Sequence, residues 1–299
     1  MLNLEYLEKL IERYRDEYKS TVAEFEVGGR FLSFNSKPII MGVINLSPDS
    51  WYRESVCLTV DRAINRGKIL FEQGADIIDI GAESTLLNAA RIDEFTQKTK
   101  LLPVLKGLNE AKIPVSIESY NNSVIFETLK SGASVINLTG TAGTEDVYKL
   151  VAEYNAAVII CYVEGKNVRD VKDFDLANNP VNKMIDYFAK EIEKAMSCGV
   201  KKIIVDPGLG FYYKNLQDSA IRVRHQINIF LNSFRFRKLG FPVCNALPHA
   251  FEYFGEEVRT AEPFFSVLAA LGKTDIFRTH EVPKIKAVLD TMGIFCDEG

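Results

Sequence analysis

The sequence predicts an α/β protein, and within that class a (β/α)8 TIM barrel that follows an N-terminal helix and hairpin. Eight short apolar segments alternate along the chain with longer segments of helical periodicity. This alternation is typical of parallel strands, because each right-handed crossover needs a helix to return the chain. The length of 299 residues fits one such barrel.

The first 36 residues form a predicted extension, and the predicted barrel occupies residues 37–299. Residues 1–20 carry apolar side chains at helical spacing, which predicts an amphipathic helix. Residues 22–34 alternate apolar and polar side chains around Gly28 and Gly29, which predicts a hairpin. We expect this extension either to close the bottom of the barrel or to contact a partner subunit.

The eight predicted strands are rich in β-branched residues, and helical segments separate them. They lie at residues 39–45, 76–82, 115–119, 135–140, 157–163, 203–210, 243–247 and 276–280. A doubly wound open sheet remains an alternative to the barrel. Its phosphate fingerprint, G-x-G-x-x-G after the first strand, is absent from this sequence.

Composition indicates a globular protein of the cytoplasm. Apolar residues make up 47% of the chain, charged residues 25%, and the net charge is −4, which argues against a nucleic-acid partner. The basic segment 235–238 is therefore expected to be a solvated helix face. The five cysteines are scattered without a C-x-x-C pair, and no apolar run approaches the ~18 residues of a membrane span. We expect reduced thiols, no membrane association and no signal peptide.

Polar side chains gather where the predicted strands end. In a barrel these ends meet on one face, where reactive groups collect. A single Asp or Asn could simply cap the next helix, but a whole ring of uncompensated polar groups would cost stability. Members of the ring are Asn45, Asp49, residues 83–85, Glu118, Asn137, Cys161, Tyr162, Asp206, residues 245–249, Arg278 and His280.

The types of residue in this ring predict a site for a heteroaromatic diphosphate. Carboxylates and amides can pair with the N–H edge of a flat heterocycle. Arg278 and His280 alternate on one strand, so they share a face and suit a phosphate or pyrophosphate group. Asn45 could hold a Mg²⁺ ion that bridges such a diphosphate.

Four motifs, in the right order and each at a strand end, resemble those of the dihydropteroate synthase family over almost all of residues 38–290. The motifs are MGVINLSPDSW at 41–51, DIIDIGAEST at 76–85, DPGLGF at 206–211 and RTH at 278–280. The resemblance implies a (β/α)8 barrel, usually a homodimer. It also implies an enzyme of folate synthesis that joins 6-hydroxymethyl-7,8-dihydropterin diphosphate to p-aminobenzoate, with Mg²⁺ as cofactor and pyrophosphate as by-product.

The resemblance also implies roles for individual residues. Asp206 and Asn137 would bind the pterin edge, Phe211 would form part of the pterin wall, and Arg278 would stack on the pterin. His280 and Asn45 would handle the diphosphate and its Mg²⁺, so that Arg278 and His280 flank that group. The remaining candidates are Asp49 and Thr85 in the loops after the first two strands, Glu118 in place of a third-strand aspartate, and His249.

The sequence departs from the family's pattern at the acceptor end. Residues 247–251 read L-P-H-A-F where the family has S-R-K-S-F, so Leu247 replaces the serine that helps bind the acceptor carboxylate and His249 replaces a lysine. Leu86 replaces an arginine. The outer pocket is therefore expected to be less cationic, with weak use of p-aminobenzoate and weak sulfonamide inhibition. Arg259 or Lys273 could restore the missing charge.

Two other functions remain open at this point. One is a related pterin-binding barrel that transfers methyl groups or condenses another amine. The other is a non-catalytic pterin-binding subunit whose extension at 1–36 binds a partner. Asn45, Arg278 and His280 favour the condensation, because methyl transfer needs no site for a diphosphate.

Overall fold

The computed structural model describes residues 1–50, 52, 55–84, 89–174, 179–211, 213–216 and 218–295. Its strands are β1 (Phe25–Val27), β2 (Arg30–Leu32), β3 (Ile39–Asn45), β4 (Ile77–Gly81), β5 (Val115–Ser119), β6 (Val135–Leu138), β7 (Ala157–Cys161), β8 (Gly165–Asn167), β9 (Asp170–Val171), β10 (Lys202–Asp206), β11 (Cys244–Ala246) and β12 (Ile276–Thr279).

Helices separate most of these strands. They are α1 (Leu4–Arg13), α2 (Arg15–Tyr18), α3 (Val60–Glu72), α4 (Glu94–Glu110), α5 (Asn122–Lys130), α6 (Thr144–Glu153), α7 (Pro180–Ser197), α8 (Ser219–Leu231), α9 (Phe251–Phe254), α10 (Ala261–Leu271) and α11 (Val282–Ile294). Short 3-10 helices lie at Lys214–Leu216, Ser233–Leu239 and Gly255–Thr260. No helix in the described ranges is both long enough and apolar enough to span a membrane.

Eight parallel strands of the described chain form a closed barrel. Seven parallel pairings connect them in the order β10, β7, β6, β5, β4, β3, β12, β11. A bridge between Val205 and Val243 closes the ring, and the Val205 N–H donates to the carbonyl of Pro242 at 3.0 Å. The predicted (β/α)8 barrel is thus confirmed, and the doubly wound alternative is excluded.

Side-chain caps fix where several helices begin. Thr59, Asp93, Asn121 and Asp218 each accept a hydrogen bond from a backbone N–H in the first turn of the helix that follows. Polar residues between a strand and a helix therefore do act as caps, but they lie beyond the strand ends, and three of the four lie more than ten residues beyond. The groups at the strand ends themselves remain available for the site.

The N-terminal hairpin of β1 and β2 fills the bottom of the barrel. Phe25, Val27 and Leu32 belong to one buried apolar cluster with inward-facing strand residues such as Met41 and Ile159. Burial of this apolar surface holds the hairpin against the barrel. Of the two predicted roles of the extension, the structure therefore shows closure of the barrel bottom. The domain boundary at residue 36 stays a prediction.

The first helices dock through cation–π contacts. The guanidinium of Arg235 lies 3.8 Å from the ring centroid of Tyr14, and the ammonium of Lys273 lies 3.9 Å from that of Tyr18. Arg235 and Arg237 are both buried, and Arg237 pairs with Asp275 at 3.6 Å. The prediction of a solvated helix face at 235–238 is therefore wrong, because these residues form a 3-10 helix under the extension.

A second hairpin, β8 and β9, follows β7 and was not predicted. Its buried Arg169 donates to the carbonyl of Ser84 at 2.9 Å and also to that of Ala89. The Arg91 side chain donates to the Arg169 carbonyl at 3.2 Å. The hairpin thus holds both ends of the segment that follows β4, next to the mouth of the barrel.

Candidate active site

The carboxyl ends of the strands surround one cavity, which we call the central cavity. Seven of the ten predicted site residues line it: Asn45, Glu118, Asn137, Asp206, Phe211, Arg278 and His280. Parallel pairing explains this meeting, since Glu118 lies beside Asn137 in register, and Asp206 beside Cys161.

A buried ion network forms the floor of the central cavity. The Nε of Arg278 donates to Asp79 Oδ2 at 2.7 Å, and another guanidinium nitrogen of Arg278 pairs with Glu118. Asp79 has no exposed surface. Burial lowers the pKa of Arg278, but the charges of Asp79 and Glu118 outweigh this and raise it, so the guanidinium stays protonated.

Two carboxyl groups of the floor hold protons more tightly than usual. Burial raises the pKa of Glu118 to about 7, with Asp79 and Asp206 adding to the shift and Arg278 opposing it. Burial also raises the pKa of Asp206 to about 6, although the hydrogen bond from the backbone N–H of Gly208 acts to lower it. Three carboxyl groups around one guanidinium make this floor suited to a ligand edge that carries several N–H donors.

The turn after β10 presents Asp206 to the cavity. The N–H of Gly208 donates to Asp206 Oδ1 at 2.7 Å, and Gly208 has a φ of +76°. A Cβ at this position would lie 2.4 Å from the carbonyl oxygen of Tyr162, so only glycine fits. This turn ends the strand four residues earlier than predicted and brings the Phe211 ring to the cavity wall.

Asn137 joins the floor through its amide. Its Nδ2 donates to Asp79 Oδ2 at 3.3 Å, and the thiol of Cys161 lies 3.2 Å from its Oδ1. Cys161 also lines the central cavity. Burial raises the pKa of the Cys161 thiol well above its usual value, with Asp206 adding to the shift, which keeps it protonated.

The rim opposite Asp206 consists of His280 and Asn45. Glu262 orients the His280 imidazole, since its Oε1 lies 2.8 Å from Nδ1, and the ring of Tyr52 stacks on it with centroids 4.4 Å apart. The Nδ2 of Asn45 donates to Ser55 Oγ at 2.6 Å, which fixes the amide and leaves its carbonyl oxygen as the group for a ligand or ion.

Of the other three predicted residues, the structure describes Asp49 and His249, and neither lines the central cavity. Asp49 is exposed and lies outside the lining of the cavity, where its carboxylate accepts a hydrogen bond from the backbone N–H of Ala90 at 3.3 Å. A catalytic role for Asp49 stays a prediction. Thr85 and Leu86 lie outside the described residues. His249 lines a second, adjoining cavity.

This second cavity, the outer pocket, shares Phe211, Arg278 and His280 with the central cavity. Its other lining residues include Leu209, Gln226, Leu247, Pro248, His249 and Arg222. Burial lowers the pKa of His249 to about 4, and the nearby charge of Arg222 lowers it further. His249 is therefore a neutral imidazole at pH 7 and supplies no positive charge there.

The expected substitutes for the missing charge lie away from the outer pocket. Arg259 forms an ion pair with Glu281, and the ammonium of Lys273 donates to the carbonyl of Tyr18 at 2.6 Å. Neither residue lines the pocket, so both suggestions are wrong. An arginine that does line the outer pocket is Arg222 of α8, which no sequence motif indicated.

Sequence reasoning also missed Asp79, Glu262 and Tyr52. Asp79 could have been found, because it is a carboxylate in the middle of an apolar strand and two residues before its end. Glu262 lies inside an amphipathic helical segment, and nothing in the sequence connects it to His280. Tyr52 reaches Glu281, 229 positions further along the chain, through its hydroxyl.

Comparisons with known proteins identify the family. The family model for pterin binding enzymes matches residues 41–243. Dihydropteroate synthase of Bacillus subtilis is 29% identical over 282 residues, which cover 90% of this chain and 92% of that protein.

Solved structures of the same family share the fold. Dihydropteroate synthase from Clostridium difficile, crystallised in the presence of pteroic acid, superposes with a TM-score of 0.73 at 27% identity, over 91% of this chain and 99% of that one. The Thermus thermophilus enzyme in complex with 6HMPPP superposes with a TM-score of 0.72 at 22% identity, over 92% of this chain and 99% of that one. At this identity the likeness shows a shared fold only. With its barrel, its strand-end motifs and the matched family model, the chain belongs to the pterin binding enzyme family.

Proposed function

We propose that the protein is a dihydropteroate synthase, a transferase of folate biosynthesis. It joins 6-hydroxymethyl-7,8-dihydropterin diphosphate to p-aminobenzoate and releases pyrophosphate. The observation that carries this proposal is that the central cavity has two chemically different ends. One is a buried acidic floor, and the other is the rim formed by His280 and Asn45. The relatives named dihydropteroate synthase support it over nearly the whole chain.

The floor recognises the pterin. Its amino-pyrimidine edge presents several N–H donors, which suit the carboxylate of Asp206 and the amide of Asn137. The Phe211 ring forms a flat apolar wall for the heterocycle, and Arg278 is fixed by Asp79 beneath it. Because these groups are already held by one another, little reorganisation is needed when the ligand enters.

The rim binds the diphosphate. The imidazole of His280, which Glu262 orients through Nδ1, lines the cavity as a polar group suited to a phosphate. The residues present also fit a magnesium ion, because Mg²⁺ is commonly held by one or two protein oxygens together with substrate phosphates and water. The carbonyl oxygen of Asn45 is such a donor. When bound, the ion would neutralise the charge of the departing pyrophosphate.

In the reaction the amine nitrogen of the acceptor forms a bond to the methylene carbon of the pterin. The bond between that carbon and the diphosphate oxygen breaks, its electron pair leaves with pyrophosphate, and the amine loses one proton to solvent. An aryl amine is already a nucleophile, so this chain's residues mainly position the two substrates and stabilise the leaving group. Glu118 stays in the floor, where it pairs with Arg278.

The proposal is tested by pyrophosphate release from the pterin diphosphate, measured with and without p-aminobenzoate. We expect release that depends on the amine and matches the amount of pterin–amine product. Binding of the pterin without release would indicate a non-catalytic pterin-binding subunit. Methyl transfer from a methyl-folate in the absence of pyrophosphate release would indicate the other alternative. The homodimer and the cytoplasmic location stay predictions.

A further inference from the structure

The outer pocket contains an arginine, Arg222, whose ion pair with Glu252 lies at the protein surface. Arg222 and Arg278 are the arginines among its lining residues. Arg278 is committed to Asp79 and Glu118 in the buried floor. The Nη2 of Arg222 instead lies 2.9 and 2.8 Å from the two carboxylate oxygens of Glu252, whose side chain is 44% exposed.

The Arg222–Glu252 pair can exchange partners at little cost. Ion pairs with a partner this exposed contribute little to stability, because water competes with them. The Arg222 side chain itself is only 14% exposed, and its Nη1 lies 3.3 Å from the carbonyl oxygen of Leu216. The guanidinium is thus fixed at the pocket wall, while its anionic partner is the part that can leave.

The position of Arg222 fits the far end of an acceptor. The outer pocket adjoins the central cavity at Phe211, Arg278 and His280, so an aryl amine whose nitrogen reaches the pterin extends away from the floor. Arg222 lines the outer pocket but not the central cavity, and its charge acts on the nearby neutral His249. A guanidinium fork binds a carboxylate through two parallel hydrogen bonds, which makes it selective for a planar anion.

We propose that Arg222 binds the carboxylate of the acceptor and that Glu252 is the resting partner that this carboxylate displaces. Arg222 then supplies the positive charge that was expected to be missing because Leu247 and His249 replace a serine and a lysine of the family. The acceptor class is an aryl amine with a carboxylate at the opposite end of its ring. This inference rests on the proposed function, since it assigns a residue to the second substrate of that reaction.

The test compares 4-aminobenzoate with its neutral carboxamide, 4-aminobenzamide, in steady-state pyrophosphate release. Loss of one charged hydrogen-bond partner changes affinity by roughly 10- to 150-fold. We expect Arg222→Gln to raise KM for 4-aminobenzoate by about that factor, with kcat nearly unchanged. KM for the carboxamide should stay the same. Arg222→Lys should restore part of the loss, because it returns the charge without the fork.

Two further variants sharpen the experiment. Glu252→Gln removes the competing carboxylate, so it should lower KM for 4-aminobenzoate and leave the carboxamide unaffected. Arg224→Gln is the matched control, since Arg224 lies exposed on the same helix and does not line the pocket. It should change neither KM.

The outcomes separate the two proposals. Equal changes in KM for both amines in Arg222→Gln, or no change for either, would overturn the role of Arg222 while the transferase stands. Higher KM for 4-aminobenzoate in Glu252→Gln would overturn the displacement. A wild-type protein that releases no pyrophosphate with either amine would overturn the proposed function, and the acceptor role with it.

Discussion

Asp206 gives pterin binding its pH dependence. Its pKa of about 6 means that the carboxylate, which accepts strongly from N–H donors, predominates only above that pH. We expect the affinity for the pterin to rise between pH 5 and pH 7, by up to about tenfold per pH unit below the pKa. Asp206→Asn should weaken binding more than about tenfold at pH 7 and flatten the pH profile.

Isothermal titration with the unphosphorylated hydroxymethyl pterin measures both effects. Unchanged affinity in Asp206→Asn, or a pH profile identical to that of the wild type, would remove Asp206 from the pterin site. Activity is not needed as a readout, so the result does not depend on the acceptor.

His280 is expected to contact the diphosphate group of the ligand and not its pterin ring. Because it lies at the rim and not in the floor, His280→Gln should weaken the pterin diphosphate by about 10- to 150-fold. The hydroxymethyl pterin should lose little. Arg278 is less suited to this experiment, since its removal would leave the buried carboxylates of Asp79 and Glu118 without their cation.

His249→Gln is the control for His280, because His249 lines only the outer pocket. It should affect the two pterins equally. Parallel losses for both pterins in His280→Gln, measured by the same titration, would contradict the assignment of the rim to the diphosphate.

At the scale of single elements, the β1–β2 hairpin offers two adjacent glycines that differ in their surroundings. Both have positive φ, +57° at Gly28 and +83° at Gly29. A Cβ at Gly28 would lie 2.8 Å from Ser134 Oγ and 2.9 Å from Pro114 Cβ, whereas a Cβ at Gly29 would meet no described atom within 4 Å. Gly28 is therefore where the hairpin touches the barrel bottom.

Alanine at each position should separate backbone strain from packing. Gly29→Ala should lower the free energy of unfolding by about 1–2 kcal/mol through strain alone. Gly28→Ala should lose a further ~1–3 kcal/mol from overpacking. Urea unfolding of the two variants measures the difference. Equal losses would mean that the hairpin does not press on the barrel as described.

The sequence predicts best those elements that are determined by residues close together in the chain. The bounds of β3 and β5 match the prediction, since β-branched runs and flanking polar residues lie within a few positions of one another. The β8–β9 hairpin could not be predicted, because it is short and polar and is held by Arg169 reaching the carbonyls of Ser84 and Ala89. The same holds for Arg222, whose place in the outer pocket follows from the packing of α8.

Across the whole molecule, buried groups of opposite type should give opposite pH dependences of stability. Burial lowers the pKa of His225 to about 4, and burial raises the pKa of Asp275 to about 7. The unfolded values are about 6.5 and 3.9. Acid therefore destabilises the fold through His225 between pH 6.5 and 4, because only the unfolded histidine gains a proton there. Rising pH destabilises it through Asp275 between pH 4 and 7, because only the unfolded carboxyl loses one.

Difference curves isolate these two contributions from the rest of the chain. The stability of the wild type minus that of His225→Gln should fall as the pH drops from 6.5 to 4. The wild type minus Asp275→Asn should fall as the pH rises from 4 to 7. Each slope should approach about 1.4 kcal/mol per pH unit. Chemical unfolding at several pH values gives both curves, and slopes of the same sign would contradict the assigned pKa directions.

The buried ion network of the floor has a consequence for inhibitor resistance. Removing one partner of a buried ion pair costs about 3–5 kcal/mol of stability, a large part of what a protein of this kind has. Substitutions of Asp79 or Arg278 that reject a pterin-like inhibitor would therefore also unfold much of the protein. Leu247 and Pro248 of the outer pocket are also buried, but they belong to no ion pair, so an apolar replacement of similar volume should cost less than about 1.5 kcal/mol there. Escape from inhibitors is accordingly expected in the outer pocket, and compounds confined to the floor should be the harder ones to evade.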